Sequence, residues 1–173
     1  MTMLNPFRKK TDYADKMRVS FDLDEVLFVN PETHPTEPAR VFPFNIIFRE
    51  RLRLGTPGLV RALQQLGYEV WVYTSSFRTE QYIKMLFLLY GVRFDGIVNA
   101  MRHLEEVQKG HSQTLPQKVP SHYRISLHVD DEDVICSYGR EFGFEVFQLD
   151  APDEYWKEKV IEKAKLVQEK RGF

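Results

Sequence analysis

Cysteine, net charge and long apolar runs are all scarce in this sequence. Cys136 is the single cysteine among 173 residues, which excludes a disulfide framework and a thiolate metal cluster. The formal net charge is −1, so no strong field favours nucleic acid or an anionic membrane surface. No apolar run is long enough to span a bilayer, and residues 1–16 contain no apolar signal core. These absences predict a protein of the reducing cytoplasm with no membrane partner.

Length and composition are those of one globular domain. Hydrophobic residues make up 43% and charged residues 28% of the chain, which is typical of soluble globular proteins. A chain of this length forms one sizeable core but is too short for two ordinary domains. We therefore expect a loose leader over residues 1–16 and one domain over residues 17–173.

Apolar runs and helical patterns alternate along the whole domain. Thr56 followed by Pro57 predicts a helix start with Thr56 as N-cap, and Gly67 predicts its end. This alternation predicts a three-layer, Rossmann-like α/β/α sandwich around a mainly parallel five-stranded sheet. The predicted strands are 18–22, 69–73, 94–98, 125–129 and 145–149; the predicted helices are 56–66, 78–90, 132–142 and a last one opening at Asp150–Asp153, with a core stripe of Trp156, Val160, Ala164 and Val167.

Residues 26–55 do not fit this alternation. Prolines at positions 31, 35, 38 and 43 exclude a long helix and a central strand, so we expect a hairpin or flap. The apolar side chains of residues 42–48 are expected to cover apolar surface. Arg49, Arg51 and Arg53 alternate as on an exposed strand edge guarded by charge, although an anion-facing rim is the alternative. The helix over residues 78–90 is apolar on most sides, which indicates packing against the flap or a second subunit.

Polar groups follow three of the predicted strands. Strand one runs into Asp22-x-Asp24, strand two ends in Thr74-Ser75, and strand four ends in Asp130-Asp131 with Lys118 upstream. On an extended strand, Asp22 and Asp24 would point to the same side. Because ligands bind outside the carboxyl ends of parallel strands, we expect these groups to meet there.

The chemistry of that set favours phosphoryl transfer. Several carboxylates at one site need a hard cation, and oxygen ligands favour Mg²⁺. A hydroxyl, helix N-terminal amides and an ammonium favour a bound phosphate. One carboxylate can attack the phosphorus to form an aspartyl-phosphate, and a second can serve as general acid and then general base.

The order and context of these motifs resemble the haloacid dehalogenase (HAD) superfamily of phosphohydrolases. Phe21–Leu27 is similar to its first motif and Trp71–Thr74 to its second, while Lys118 and Val129–Asp131 stand where the third and fourth are expected. The resemblance extends from residue 21 to residue 131. It implies a Mg²⁺-dependent phosphatase acting on a phosphorylated small molecule or macromolecule.

The resemblance also implies a role for each acid. Asp22 would be the nucleophile and a Mg²⁺ ligand, and Asp24 the general acid/base, with its backbone carbonyl on the metal. Asp131 would complete the metal shell with Asp130 in support. Asp133 is read first as a charge at a helix N-terminus and second as a metal-shell residue.

The phosphate-binding groups follow from the second and third motifs. Thr74 would hold the transferring phosphoryl group with the Ser75 amide nearby, and Lys118 would neutralise it together with the nucleophile. Lys109 and Lys84 are alternatives for the lysine. Lys118 is preferred because Pro116 and Pro120 fix its approach to the fourth strand.

Substrate and partners are less defined. The short intervals between motifs resemble capless HAD phosphatases, which act on large substrates or close their sites with a neighbouring subunit, so a homo-oligomer is one expectation. Protein phosphatase and nucleotide or small-metabolite phosphatase both remain open, and a catalytically silent binding protein of the same fold is the alternative outside the enzymes. His34, Arg40 and Arg78 are candidate substrate contacts, and a zinc site at His103, His111 and His122 is a lesser possibility.

Overall fold

The structure, a computed structural model, describes residues 16–149 and 152–172. The predicted leader, apart from its last residue, lies outside the described residues, and so do residues 150 and 151 of the predicted opening of the last helix. Asp153 is described but not helical, because that helix begins only at Trp156. In the described part of the chain, no helix combines the length and apolar character that crossing a membrane requires.

Five parallel strands form a single sheet, which confirms the predicted fold class. The order across the sheet is β3-β2-β1-β4-β5. The strands are β1 (Arg18–Phe21), β2 (Glu69–Tyr73), β3 (Gly96–Val98), β4 (Ile125–Asp130) and β5 (Glu145–Gln148).

Six α-helices connect and cover the strands in the described ranges. They are α1 (Phe44–Ile47), α2 (Thr56–Gln65), α3 (Glu80–Leu88), α4 (Ala100–His103), α5 (Asp133–Phe142) and α6 (Trp156–Lys170). A π-helical turn (Leu104–Gln108) continues α4, and a 3-10 turn (Pro120–Tyr123) precedes β4.

The sheet is buried on both faces, as its apolar strands predict. Val70 and Val72 of β2 belong to one buried cluster, which includes side chains of α2, α3 and α6. Trp71 and Tyr73 point to the opposite face and join a second cluster with side chains from residues 98–125. The predicted stripe of α6 is confirmed, because Trp156, Val160, Ala164 and Val167 are all buried.

Helix α2 begins differently from the prediction. Gly55, not Thr56, is the N-cap, and its φ of 92° is a left-handed conformation that favours glycine. Thr56 is already helical, and its hydroxyl donates to the carbonyl of Arg53. The predicted Thr56 cap is therefore wrong, since the side chain turns back to the preceding turn and not forward into the helix.

The flap over residues 26–55 is anchored at its two ends, where the side chains of Val26, Leu27, Phe28 and Leu52 are buried in the core. Phe48 packs against Tyr82 of α3, with ring centroids 5.0 Å apart, so the flap does cover one side of that helix. The other apolar side chains expected to cover apolar surface are exposed to solvent, which makes that expectation wrong for them: Phe42, Phe44, Ile46 and Ile47.

Arg53 also departs from the expected exposed strand edge. Its side chain is 4% exposed, and its guanidinium donates to the carbonyls of Val26 and Glu25 at 2.8 and 2.7 Å. Arg51 is half-buried and donates to Thr36. Both arginines therefore hold the flap together from inside, Arg53 by satisfying backbone carbonyls of its first turn and Arg51 by bonding to Thr36.

Candidate active site

The candidate site lies where the sheet order reverses, beside β1. Strand β1 pairs with β2 on one side and β4 on the other, and such a switch point opens a crevice at the carboxyl ends of the strands. Asp22 follows β1 directly, and its backbone N–H continues the ladder by donating to Val129 of β4. Asp130 is the last residue of β4.

Lys118 joins the two buried aspartates. Its Nζ donates to Asp22 Oδ2 and to Asp130 Oδ2, each at 2.6 Å, and the lysine is 1% exposed. Burial alone would lower the pKa of Lys118, but the two carboxylates outweigh it and the pKa is raised. The ammonium is therefore held charged. Of the other two candidate lysines, Lys84 pairs with Glu80 on α3, and Lys109 is exposed.

Asp130 is held by groups that the sequence analysis did not single out. His128 Nε2–H donates to Asp130 Oδ2 at 2.8 Å, and His128 Nδ1 shares a 2.7 Å hydrogen bond with the hydroxyl of Ser20. Burial favours the neutral acid, but the bonds from His128 and Lys118 outweigh it and hold the pKa of Asp130 well below its usual range. Ser20 and His128 are polar residues within apolar strands, two positions before Asp22 and Asp130 respectively. This pattern is the sequence signal that could have revealed them.

Asp22, Asp130 and Asp131 form a cluster suited to a cation. Ligand oxygens of the three carboxylates lie within 4.8 Å of one another. Burial and the neighbouring charges of Asp130 and Asp22 raise the pKa of Asp131. No hydrogen bond or ion pair from another described side chain reaches its carboxylate. A set of three carboxylates, one of which takes no hydrogen bond from a described side chain, fits a hard divalent ion such as Mg²⁺.

The histidines considered for zinc do not join one another. His103 is buried and bonds to the hydroxyl of Tyr73, whereas His111 and His122 are exposed. Within residues 16–149 and 152–172, the aspartate cluster is the one grouping of three or more such ligands.

Asp24 lies apart from this cluster and is paired with arginine. Strand β1 ends at Phe21 and the chain turns after Asp22, so Asp24 is not on the predicted extended strand. Arg78 grips the exposed Asp24 carboxylate with two bonds of 2.9 and 3.0 Å. Its Nε donates to Glu50 of the flap at 2.9 Å. Burial tends to lower the pKa of Arg78, but Asp24 and Glu50 raise it overall.

Thr74 and Ser75 follow β2 on the other side of β1. Thr74 is 1% exposed, and its hydroxyl accepts a hydrogen bond from the backbone N–H of Ser76 at 3.2 Å. Ser75 is exposed. Tyr73, the last residue of β2, accepts a hydrogen bond at its hydroxyl from the N–H of Val119 at 3.0 Å. The strand that carries Thr74 is thus fastened to the loop that carries Lys118.

The remaining candidates lie outside this group of contacts. Arg40 stacks over the ring of Tyr90, 4.2 Å from its centroid, and so packs the flap on the domain. His34 lines a separate cavity of about 440 Å³ with Arg53. Asp133 is in the first turn of α5 and accepts a hydrogen bond from Gln148, which is the structural role expected first.

Comparison with known proteins identifies the fold. No protein-family model matches the chain. No curated protein matches it either. An uncharacterised protein from Listeria monocytogenes serotype 4b superposes with a TM-score of 0.53 at 16% identity, covering 88% of this chain and 99% of that one. A HAD-superfamily hydrolase of subfamily IA from Geobacter sulfurreducens gives 0.52 at 15% identity, covering 84% and 98%.

A chain of the Pnkp1/Rnl/Hen1 RNA repair complex shares the same architecture. Its TM-score is 0.50 at 15% identity, and the match covers 81% of this chain but 44% of that one. Our chain therefore corresponds to less than half of that protein. Together these likenesses show a HAD-like α/β fold.

Proposed function

We propose that this protein is a Mg²⁺-dependent phosphomonoesterase that works through an aspartyl-phosphate on Asp22. The observation that carries the proposal is the contact of Lys118 with both Asp22 and Asp130 at 2.6 Å, beside the three-carboxylate cluster. The charge of an incoming phosphoryl dianion has to be balanced as it approaches the Asp22 carboxylate. The Lys118 ammonium and a metal cation beside Asp22 would supply that balance. The HAD-like fold supports the same assignment.

Asp22 is the nucleophile in this proposal. One of its carboxylate oxygens forms a bond to phosphorus while the bond from phosphorus to the ester oxygen breaks. Asp24 gives its proton to that leaving oxygen. It then takes a proton from the water that attacks phosphorus and releases Asp22. Thr74 and the amide of Ser75 bind the phosphoryl oxygens, and Lys118 balances their charge.

Asp22, Asp131 and the backbone carbonyl of Asp24 would hold the metal ion, with Asp130 in support. When bound, Mg²⁺ supplies charge stabilisation for the phosphoryl oxygens. Asp130 contributes mainly by orienting Lys118, because its Oδ2 already accepts bonds from Lys118 and His128.

The contact between Arg78 and Asp24 belongs to the resting state. The two guanidinium bonds occupy both oxygens of the Asp24 carboxylate, so neither oxygen faces a leaving group there. Asp24 must leave Arg78 to act as an acid, and Arg78 is then available to the phosphate. This exchange would couple substrate entry to the flap, since Arg78 also bonds to Glu50.

The proposed enzyme is capless. Between Asp24 and Thr74 the structure has the flap and α2, and between Ser76 and Lys118 it has α3, β3, α4 and the π-helical turn. Neither segment has the length of a separate cap domain. Closure of the site by a second copy of the chain and a location in the cytoplasm stay predictions.

Hydrolysis of a generic aryl phosphate tests the proposal. We expect activity with Mg²⁺ that EDTA removes and that Asp22→Asn abolishes, because the amide is nearly isosteric but cannot attack. Asp24→Asn should cost about 10²–10⁴-fold. Glu162→Gln, at an exposed position on α6, is the control. If Asp22→Asn turned over at the parent rate, the mechanism would be wrong. If neither protein hydrolysed any ester, a binding protein of this fold would be the better account.

A further inference from the structure

A cavity of about 300 Å³ lies beside the proposed phosphate site, and of its lining residues the mechanism above uses only Ser75. We propose that it binds the leaving group of the substrate and selects a flat, mostly apolar ring that carries a hydrogen-bond acceptor. This inference rests on the proposed phosphatase function and names the class of ester that the site prefers.

The position of the cavity links it to the chemistry. Ser75, one residue after Thr74, and Gln117, one residue before Lys118, both line it. Thr74 and Lys118, which would contact the phosphoryl group, are therefore direct chain neighbours of the cavity wall, and Ser75, whose amide would also contact it, is part of that wall. A phosphate bound there would have its ester substituent beside this opening.

The rest of the wall is largely apolar and open to solvent. Phe77 is 66% exposed and Leu104 is 46% exposed, while Ala100 adds a small side chain between them. Exposed apolar side chains around a concavity next to polar groups are typical of ligand sites. The volume is at the lower end for small-molecule pockets, which suits one ring better than a large polymer.

His103 is the side chain in this wall that carries a ring N–H donor. The hydroxyl of Tyr73 accepts a bond from Val119 N–H, so its own proton is left for its second partner, His103 Nδ1, 2.7 Å away. No other acceptor among the described residues takes that proton, and an unmade bond at this depth would be costly. Burial lowers the pKa of His103, which keeps the ring neutral. The ring proton is therefore on Nε2.

Nε2–H of His103 has no hydrogen-bond partner among the described residues, and His103 lines the cavity. An acceptor on the ligand would satisfy it. The selectivity follows from both features together, because the apolar wall favours a ring and the Nε2–H donor favours an acceptor on that ring.

Binding to the Asp22→Asn variant separates this subsite from turnover. In that background with Mg²⁺, calorimetry should show phenyl phosphate binding about tenfold tighter than glycerol phosphate. Leu104→Ala should reduce this preference about fivefold, and Phe77→Ala by at least as much. Leu88→Ala is the matched control, because Leu88 is 47% exposed and lines a different cavity on α3.

The hydrogen-bond donor is tested with a second pair of probes. In the Asp22→Asn background, 4-acetylphenyl phosphate should bind more tightly than phenyl phosphate. The ratio of the two affinities should fall severalfold when His103→Phe is added, because this substitution keeps an aromatic ring but removes the donor. Thermal unfolding of each variant confirms that it is folded.

The two proposals fail in different ways. The subsite proposal is overturned if Leu104→Ala and Leu88→Ala both keep the preference of the Asp22→Asn background for phenyl phosphate over glycerol phosphate. In that case, metal-dependent hydrolysis of both esters by the parent protein would still uphold the phosphatase proposal. A ring preference that depends on Leu104, without turnover of any ester by the parent, would uphold the subsite and overturn the phosphatase.

Discussion

His128 offers the sharpest test of how the site is held together. The side chain is fully buried, and it joins Ser20 to Asp130 by hydrogen bonds of 2.7 and 2.8 Å. The substitution His128→Leu introduces an apolar side chain of similar size and removes both hydrogen bonds. Asp130 then keeps its bonds from Lys118 and from the N–H of Glu132.

The expected loss of stability follows from the two bonds. A hydrogen bond to a charged group contributes about 1.5–3 kcal/mol and a neutral one about 0.5–1.5 kcal/mol. His128→Leu should therefore lower the free energy of unfolding by about 3 kcal/mol. For a domain of this size, that corresponds to a fall in Tm of about 6–12 °C. Ser20→Ala removes only the outer bond and should cost about 1 kcal/mol.

The catalytic effect is separable from the loss of stability. Without His128, Asp130 loses one of the three bonds that orient its carboxylate, so Lys118 is positioned less firmly between the two carboxylates. Loss of such an orienting partner typically costs about 10–100-fold in activity, which should appear in kcat more than in KM. His128→Gln retains a side-chain N–H donor and should recover most of the turnover.

Mg²⁺-dependent phosphate-ester hydrolysis, measured well below the Tm of every variant, is the assay. If His128→Leu lost stability but kept the parent kcat, Asp130 would not position Lys118. If both quantities were unchanged, the hydrogen bonds to Ser20 and Asp130 would contribute nothing, and the reasoning from buried polar groups would be refuted.

Three further predictions concern the cation, the metal and the sheet. Lys118→Met leaves two buried carboxylates without their cation, so we expect its free energy of unfolding in EDTA to fall by about 3–5 kcal/mol. Thermal unfolding with Mg²⁺ should show part of this loss recovered, and an unchanged Tm in EDTA would contradict the prediction. At a Mg²⁺ concentration near 100 times the Kd for Mg²⁺, the free energy of unfolding of the parent protein should rise by about 2.7 kcal/mol. Asp131→Asn should lose this stabilisation in the same titration, and an equal rise in both proteins would exclude Asp131 as a ligand. Gly96→Ala would place its Cβ 2.4 Å from the ring of Trp71 and should cost about 1–3 kcal/mol in urea unfolding. The control is Gly58→Ala in α2, whose Cβ would meet nothing within 4 Å and which should stabilise the protein by about 0.5–1 kcal/mol. If the two substitutions had the same effect, Gly96 would not be packed against the ring of Trp71.

The strands and helices were predictable because their patterns are local. Strand β2 has the predicted bounds, and α6 buries the predicted stripe, since apolar periodicity reports directly which face is covered. Helix starts were less predictable. Thr56 has a typical capping side chain, yet Gly55 takes the cap because the flap enters the helix through a left-handed turn.

The location of the site was predictable from topology, but its contacts were not. Acids at the ends of β1 and β4 had to meet once the two strands were neighbours. The clamp of Arg78 on Asp24 joins residues 54 positions apart, and no local pattern encodes such a pair. The exposed apolar residues of the flap were misread for a similar reason, because their composition shows apolar character but not which neighbours they have.

The bond from Val119 N–H to the Tyr73 hydroxyl has a consequence for how this chain tolerates insertions. It anchors the segment immediately after Lys118 to the central sheet, whereas residues 109–114 are exposed and lie upstream of that anchor. Extra residues introduced there would lengthen the approach to Lys118 without moving its attachment point. A sensor or reporter module placed between Gly110 and Ser112 should therefore be accommodated with the ammonium still between its two carboxylates.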